Sequence, residues 1–262
     1  MTKVKVYQVD TFTNKLFSGN AAAVCPLEHW LPDEVMQSIA TENNLSETAF
    51  FIKKKDKFFI RWFTPKAEID LCGHATLAAA HILFSEMNFH PNIIEFNTKS
   101  GIILSVNKNQ NLLTLNFPAY EPKIIDQNLE ILYNAFGVKP KEFLYCNYGL
   151  AVFRKQKEII EIRPNFNVIK KLPYDGIIVT APGENVDFVS RFFAPKLGID
   201  EDPVTGSAHC ELIPYWAKTL NKKNMIARQL SIREGELFCS YLGNRVLIAG
   251  NVVTYMIGEL IL

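Results

Sequence analysis

The sequence lacks the features that mark disulfide-rich, membrane-spanning and nucleic-acid-binding proteins. Its 262 residues include five cysteines, an odd number at wide spacings with no C-x-x-C pair, which argues against a disulfide framework and against zinc held by thiolates. No apolar run reaches the roughly 18 residues that a membrane-spanning helix needs. The net charge is +1 and the basic residues are spread along the chain, so no basic surface for nucleic acid is expected. These absences favour a cytoplasmic protein with neither a membrane nor a nucleic-acid partner.

The motifs of common cofactor sites are missing as well. There is no Walker A sequence and no G-x-G-x-x-G after a predicted strand, so nucleotide binding has no support. His74, His81 and His209 are too scattered to form a metal-ligand pattern. His81 and His209 are expected in the core. We therefore expect neither a metal nor a nucleotide cofactor.

The sequence does contain many short alternating segments that are typical of β-strands. Among them, residues 142–154 and 158–164 are each predicted to be extended. The lysine-rich stretch 53–57 is typical of a solvated hairpin turn between two apolar strands. Residues 32–44 are predicted to form an amphipathic helix, with Pro32 and Asp33 at its start. The overall pattern is that of a globular protein of mixed α and β structure.

Two segments, 73–84 and 206–220, are apolar on almost every side, which predicts helices that are buried all round. An internal repeat precedes them. Residues 61–70, RWFTPKAEID, and residues 191–200, RFFAPKLGID, share six of ten residues at a constant offset of 130. After an insertion of three residues, GHA at 73–75 matches GSA at 206–208.

The repeat predicts an α+β fold of two pseudo-symmetric halves, each a curled β-sheet or barrel wrapped around one central helix. The N-terminal half is expected to span residues 1–117, with the C-terminal strand 252–262 as a candidate to complete it. The C-terminal half is expected to span residues 118–251.

The two helix starts predict the class of ligand. Unpaired N–H groups and the positive end of the helix dipole bind anions such as carboxylates. Gly73 and Gly206 begin the two helices and would let a ligand approach the backbone closely. We therefore expect a small carboxylate to bind between the two halves.

Several side chains near these helices are candidates for acid–base chemistry. Ser46 and Glu47 precede an apolar strand, Asp202 lies just before the second helix, and His74 lies in the first turn of the first helix. A histidine in that position suits proton transfer. The alternatives are an exposed charge at the start of a strand for Glu47 and a helix-capping role for Asp202.

Five ordered motifs resemble the phenazine-biosynthesis PhzF-like isomerase family, and they run from residue 8 to about residue 211. They are QVDTFTNKLFSGNAAAVC, IATENNLSETAFF, RWFTPKAEIDLCGHATLAAAHIL, FNTKSG and RFFAPKLGIDEDPVTGSAH. The resemblance implies the diaminopimelate-epimerase-like fold and a homodimer. It also implies a cofactor-independent isomerase that moves a proton on its substrate, which in the best-understood member is a hydroxylated dihydroanthranilate.

The resemblance also implies residue roles. Glu47 would be the general acid and base, and four side chains would line the pocket: Ser46, His74, Asp202 and Ser207. Backbone N–H groups near Gly73 and Gly206 would hold the substrate carboxylate.

Cys72 leaves two alternatives open. Epimerases and racemases of this fold use one thiol at each helix start, and Cys72 stands where the first would be, whereas Thr205 occupies the matching second position. A two-thiol mechanism is therefore disfavoured. The alternatives are a one-thiol amino- or hydroxy-acid epimerase that uses Cys72, and a non-catalytic metabolite-binding protein on the same scaffold. The identity of the substrate does not follow from the sequence.

Overall fold

The structure is a computed structural model that describes residues 2–127 and 129–262. Its helices are α1 Asp33–Asn43, α2 Gly73–Ser85, α3 Leu129–Phe136, α4 Gln156–Glu161, α5 Phe166–Ile169 and α6 Gly206–Leu220. Its strands up to residue 118 are β1 Lys3–Thr11, β2 Asn20–Leu27, β3 Glu47–Lys54, β4 Lys57–Phe63, β5 Glu68–Ile69, β6 Ile93–Thr98, β7 Ile103–Asn109 and β8 Leu112–Pro118. The later strands are β9 Lys123–Ile124, β10 Glu142–Tyr145, β11 Gly149–Val152, β12 Ile177–Pro182, β13 Phe188–Ala194, β14 Ile199–Asp202, β15 Asn224–Gln229, β16 Gly235–Tyr241, β17 Arg245–Gly250 and β18 Val252–Ile261.

Two compact units make up the chain. The first unit consists of residues 1–116 and 249–262, and the second consists of residues 117–248. No helix in the described ranges is long and apolar enough to cross a membrane.

The sheet of the first unit curls around α2. Strand β1 pairs antiparallel with β2 and with β18, and β2 pairs parallel with β3. Strand β4 pairs antiparallel with β3 and β5 and parallel with β6, which continues antiparallel into β7. Helix α2 packs against β1, β2, β3, β7 and β18. It is therefore the central helix of this unit.

The second unit repeats these pairings strand by strand. Strand β10 is antiparallel to β11, and β11 is parallel to β12. Strand β13 is antiparallel to β12 and β14 and parallel to β15, which continues antiparallel into β16. Helix α6 follows β14 just as α2 follows β5. The predicted α+β fold, with two similar halves that each contain an apolar helix, is confirmed.

Helix α6 contains Pro214, which has no N–H to donate to the carbonyl of Cys210 four residues earlier. The N–H of Tyr120 donates to that carbonyl at 2.9 Å instead. Trp216 lies further along the helix and stacks on Phe188 with 5.7 Å between ring centroids. Its indole N–H donates to the hydroxyl of Thr180. The Cys210 carbonyl and the Trp216 indole of this apolar helix are thus satisfied from neighbouring elements.

The structure confirms two local predictions and corrects two others. Helix α1 buries Met36, Ile39 and Ala40 as expected, and residues 55–56 form the turn between β3 and β4. The single strand predicted over 142–154 is instead β10 and β11 with a turn between them.

The strand predicted over 158–164 was also wrong, because helix α4 covers most of it. The Glu158 carboxylate accepts the N–H groups of Arg154 and Lys155, which fixes the first turn of the helix. Ile159 within the helix and Ile162, its C-cap residue, are both buried.

Candidate active site

Glu47 is a buried carboxylate at the first position of β3. Its residue is only 8% exposed, and it pairs with Ala22 across the parallel ladder between β2 and β3. The ladder fixes the backbone, so the side chain is held in place by rigid structure. The alternative of an exposed charge at the start of a strand is wrong.

His74 is the partner of Glu47. It is the second residue of α2, is buried, and places Nε2 2.9 Å from Oε2 of Glu47. Beyond this contact, neither atom has a hydrogen-bond partner among the described residues. Two buried polar atoms that face each other in this way are a feature of functional sites, because interior polar groups are otherwise satisfied.

Cys72 lies on the other edge of the same imidazole. It is the N-cap residue of α2, and its Sγ is 3.5 Å from Nδ1 of His74. Burial raises the pKa of the Cys72 thiol, and the negative charge of Glu47 adds to that effect. The group is therefore a neutral thiol at neutral pH.

The charges around His74 favour its protonated form. Burial alone would lower the His74 pKa, but its interactions with Cys72 and Glu47 outweigh burial and raise the pKa well above its ordinary value.

Asn20 is a site residue that sequence reasoning missed. It is fully buried at the start of β2, and its amide nitrogen is 3.5 Å from Nδ1 of His74. The hydroxyl of Ser46 donates to its amide oxygen at 3.2 Å. Asn20 therefore links the predicted Ser46 to the imidazole. Its place in the motif SGNAAAVC, a polar residue before an apolar strand, was the available signal.

The start of α2 offers backbone donors to a ligand. Its N-cap residue Cys72 makes no side-chain hydrogen bond to the first turn. The N–H groups that begin at Gly73 therefore have no capping partner from that side chain. This leaves the positive end of the helix dipole next to the Glu47–His74 pair.

The matching helix start of the second unit has the same form. Thr205 is the N-cap residue of α6, in the same extended conformation as Cys72 and also without a side-chain cap. Thr205 thus holds in the second unit the N-cap position that Cys72 holds in the first. Its hydroxyl donates to the carboxylate of Asp202. Gln229 accepts the N–H of Thr205 at 2.9 Å and donates to the carbonyl of Asp202 at 2.8 Å.

Gly206 and Ser207 follow as the first two residues of α6. The space next to the Gly206 Cα is open, with no atom within 4 Å of where a Cβ would lie. Ser207 is exposed, and its hydroxyl is 3.2 Å from that of Tyr148. His209, one turn further on, is fully buried as expected, whereas His81 on α2 is only partly buried and contacts the Thr254 hydroxyl at 3.0 Å.

The predicted site residues thus form two groups. Ser46, Glu47, Cys72, Gly73 and His74 come together in the first unit, and Asp202, Gly206 and Ser207 come together in the second. Each group surrounds the start of a central helix.

The first group also contains three potential metal-ligand atoms, from Glu47, Cys72 and His74, all within 4.8 Å of one another. However, Cys72 and Glu47 contact different ring nitrogens of His74. An ion bound to one nitrogen would lie on one edge of the ring, away from the residue at the other edge. The arrangement suits proton transfer along the ring better than metal binding.

Comparison with known proteins supports the motif-based resemblance. The sequence model of the phenazine biosynthesis-like protein family matches residues 9–258. A Pseudomonas aeruginosa protein named as an uncharacterized isomerase is 49% identical over 259 residues, which cover 98% of each chain.

Solved structures agree with this assignment. The crystal structure of a PhzF-family phenazine biosynthesis protein from Enterococcus faecalis is 45% identical, covers 100% of both chains and has a TM-score of 0.97. A hydroxyproline epimerase from Agrobacterium vitis has a TM-score of 0.61 at 9% identity, over 98% of this chain and 92% of its own, and so is similar in fold alone. The chain belongs to the phenazine biosynthesis-like, or PhzF, protein family.

Proposed function

We propose that the protein is an isomerase that moves a proton between two carbons of a small carboxylic acid, with Glu47 as the general acid and base. The observation that carries the proposal is the buried contact of 2.9 Å between Glu47 and His74 at the start of α2. The relatives that are named isomerases support the same reaction class.

The chemistry needs one group that both takes and returns a proton. The Glu47 carboxylate accepts a proton from a substrate C–H bond, and the electron pair of that bond moves into the adjoining conjugated system. Glu47, now protonated, returns the proton to a second carbon of the same system. No other reactant is consumed, and the substrate and product have the same composition.

Two features of the site assist this step. The contact of 2.9 Å with His74 holds the Glu47 carboxyl group in a fixed position at the start of α2. The free N–H groups of α2 stabilise negative charge on the substrate while the proton is on Glu47. Asp202, Gly206 and Ser207 are proposed as the contribution of the second unit to substrate binding.

Solvent-deuterium incorporation tests the proposal. The protein is incubated in D₂O with a panel of small unsaturated carboxylic acids, including dihydroanthranilates, and exchange is followed by proton NMR. Glu47→Gln should abolish exchange, whereas Glu42→Gln, a matched change at an exposed position of α1, should leave it intact. Exchange that survives in Glu47→Gln would remove Glu47 from the mechanism. A ligand that binds but never exchanges would favour a metabolite-binding protein.

A second candidate is a one-thiol epimerase in which Cys72 is one of the two acid–base groups. The contact of 3.5 Å between its Sγ and Nδ1 of His74 favours it, because positive charge on the imidazole stabilises a thiolate. The raised pKa of the thiol opposes it. Cys72→Ala separates the two candidates: full turnover in that variant excludes the thiol mechanism, and loss of turnover with intact folding supports it.

A further inference from the structure

The turn between β10 and β11 brings a tyrosine to the start of α6. Tyr148 is half-buried, and its hydroxyl is 3.2 Å from the hydroxyl of Ser207. Its ring packs edge-on against Phe192, with 4.9 Å between ring centroids. Phe192 is the cross-strand partner of Asp202 in the ladder between β13 and β14. Tyr148 therefore lies beside two of the residues predicted to bind the substrate.

The packing holds the aromatic ring of Tyr148 firmly. Gly176 lies under it, and a Cβ at that position would come within 2.4 Å of Phe192 and 3.1 Å of Tyr148. The absence of a side chain at Gly176 is what lets the two rings occupy this space. The hydroxyl of Tyr148 is thus presented by a rigid support.

A buried carboxylate fixes the backbone of the same turn. Glu211 lies one turn after Ser207 on α6 and has no exposed surface. Its Oε1 accepts the N–H of Asn147 at 3.0 Å and the N–H of Tyr148 at 3.1 Å. Its Oε2 is buried and has no hydrogen-bond partner among the described residues. A buried carboxylate left half-satisfied is costly, and so calls for an explanation.

We propose that Tyr148 is part of the ligand site of the second unit, and that Glu211 is a positioning residue that holds it beside Ser207 and Asp202. The inference rests on the proposed function, because it adds a contact for the same carboxylate substrate. The phenol donates a hydrogen bond to an oxygen of the acid, and Glu211 acts through the backbone of the turn without touching the ligand.

Glu211 also makes this contact sensitive to pH. Burial raises the Glu211 pKa to about 7, so the strength of its two bonds to the turn changes near neutrality. The titratable groups that face it are Cys146, Cys210 and the Tyr148 phenol, and burial raises the pKa of each of them. The charged groups nearest to those three are Lys123, Asp202 and Arg245. Glu211 is therefore the group expected to change charge near pH 7 here.

A titration of the free protein tests the positioning role. With ¹³C-labelled tyrosine, the ring signal of Tyr148 is assigned by its absence from Tyr148→Phe. In the wild-type protein it should shift with a midpoint near pH 7. In Glu211→Gln, which keeps an oxygen acceptor but cannot ionise, the shift should vanish. A midpoint that persists in Glu211→Gln, or none in the wild-type protein, would overturn the role of Glu211.

Ligand binding tests the contact itself. Dissociation constants are measured by calorimetry at pH 6 for benzoate, 2-aminobenzoate and fumarate. Tyr148→Phe and Glu211→Leu should each weaken binding about ten-fold, while Glu211→Gln should stay within about two-fold of the wild-type value. Tyr133→Phe, a change at an exposed position of α3, is the matched control.

The outcomes separate the two proposals. Unchanged affinity in Tyr148→Phe, with the wild-type protein binding an acid, would overturn the contact and leave the proposed isomerase standing. If the wild-type protein bound none of the acids, the carboxylate site would fail together with the contact, and the titration would still decide the role of Glu211.

Discussion

At the scale of single residues, the site depends on the charges that surround His74. The imidazole lies between a buried carboxylate and a buried thiol, and its pKa is raised because its interactions with both groups outweigh burial. Glu47→Gln removes the carboxylate, so the His74 pKa should fall towards its ordinary value. The measurement is a pH titration of the imidazole nitrogens by ¹⁵N NMR.

Glu42→Gln is the control for this titration, because Glu42 is exposed on α1. It should leave the His74 midpoint where it is in the wild-type protein. An unchanged midpoint in Glu47→Gln would mean that the carboxylate does not stabilise the imidazolium. The role given to His74 in the proposed reaction would then be wrong.

The pKa of His209 leads to a prediction about stability, not about catalysis. Burial lowers its pKa to about 4, whereas an unfolded histidine titrates near 6.5. Between these values the unfolded chain binds a proton that the folded chain does not. The free energy of unfolding should therefore fall as the pH drops from about 6.5 to about 4, by up to about 1.4 kcal/mol per pH unit.

Urea unfolding at a series of pH values checks this prediction. His209→Gln should be less stable at pH 7, because the Nδ1–H of His209 donates to the Thr205 carbonyl, but its stability should fall less steeply towards acid. His90→Gln, at an exposed position, should keep the wild-type slope. Equal slopes for wild type and His209→Gln would show that the histidine is protonated within the fold.

At the scale of secondary-structure elements, the repeat contains the same ion pair twice. Arg61 on β4 forms a bidentate ion pair with the carboxylate of Glu68, at 2.7 and 2.8 Å. Arg191 on β13 forms the same kind of pair with Glu201, at 2.7 and 3.0 Å. Arg191 also donates to the carbonyls of Ile159 and Ile162 around the end of α4. Arg61 thus links β4 to β5, the strand before α2. Arg191 links β13 to β14, the strand before α6.

Arg191→Lys should destabilise the protein by about 1–3 kcal/mol. A lysine keeps the charge, but it cannot form the bidentate pair with Glu201 or reach the carbonyls of both Ile159 and Ile162. The free energy of unfolding in urea is the measurement. Arg228→Lys is the control, since the pair of Arg228 and Glu236 is exposed and should matter by less than about 1 kcal/mol. Equal losses of unfolding free energy in the two variants would mean that the partly buried pair of Arg191 and Glu201 adds no stability.

The apolar patterns of individual elements explain which of them could be predicted from sequence. Helices α1, α2 and α6 have unambiguous apolar patterns, and they lie where expected. The segment 158–164 was ambiguous, because its isoleucines at 159, 160 and 162 fit either period over so short a length. The carboxylate of Glu158 at the helix start decided the outcome, and its bonds to the backbone depend on the fold of that turn.

The candidate site was predictable only in part, for a similar reason. Glu47, Cys72 and His74 lie within motifs that the sequence displays, and the structure brings them together. Asn20 and Tyr148 were missed because their partners are distant in sequence. The hydroxyl of Tyr148 meets Ser207 across 59 positions of the chain, and no local pattern indicates such a contact.

At the scale of the whole molecule, the repeat in sequence corresponds to a repeat in topology. Six identities in ten residues were enough to predict two similar halves, since the repeated strand and helix occupy the centre of each unit. The first unit is discontinuous in sequence, and strand 252–262 was the candidate to complete it. Residues 249–262 belong to the first unit. Within them, β18 pairs with the whole of β1, from Lys3 to Thr11.

Removal of residues 252–262 should therefore destabilise the first unit. Residues 3–6 pair with β18, whereas the ladder between β1 and β2 begins only at Tyr7. In the shortened chain, the amides of Val4 and Val6 should lose hydrogen-exchange protection and the melting temperature should fall, while β3 amides near Phe50 stay the better protected. Ile257→Thr, an exposed change that keeps the backbone pairing, should preserve protection at both valines. Full protection of Val4 and Val6 without β18 would mean that other contacts hold this end of β1.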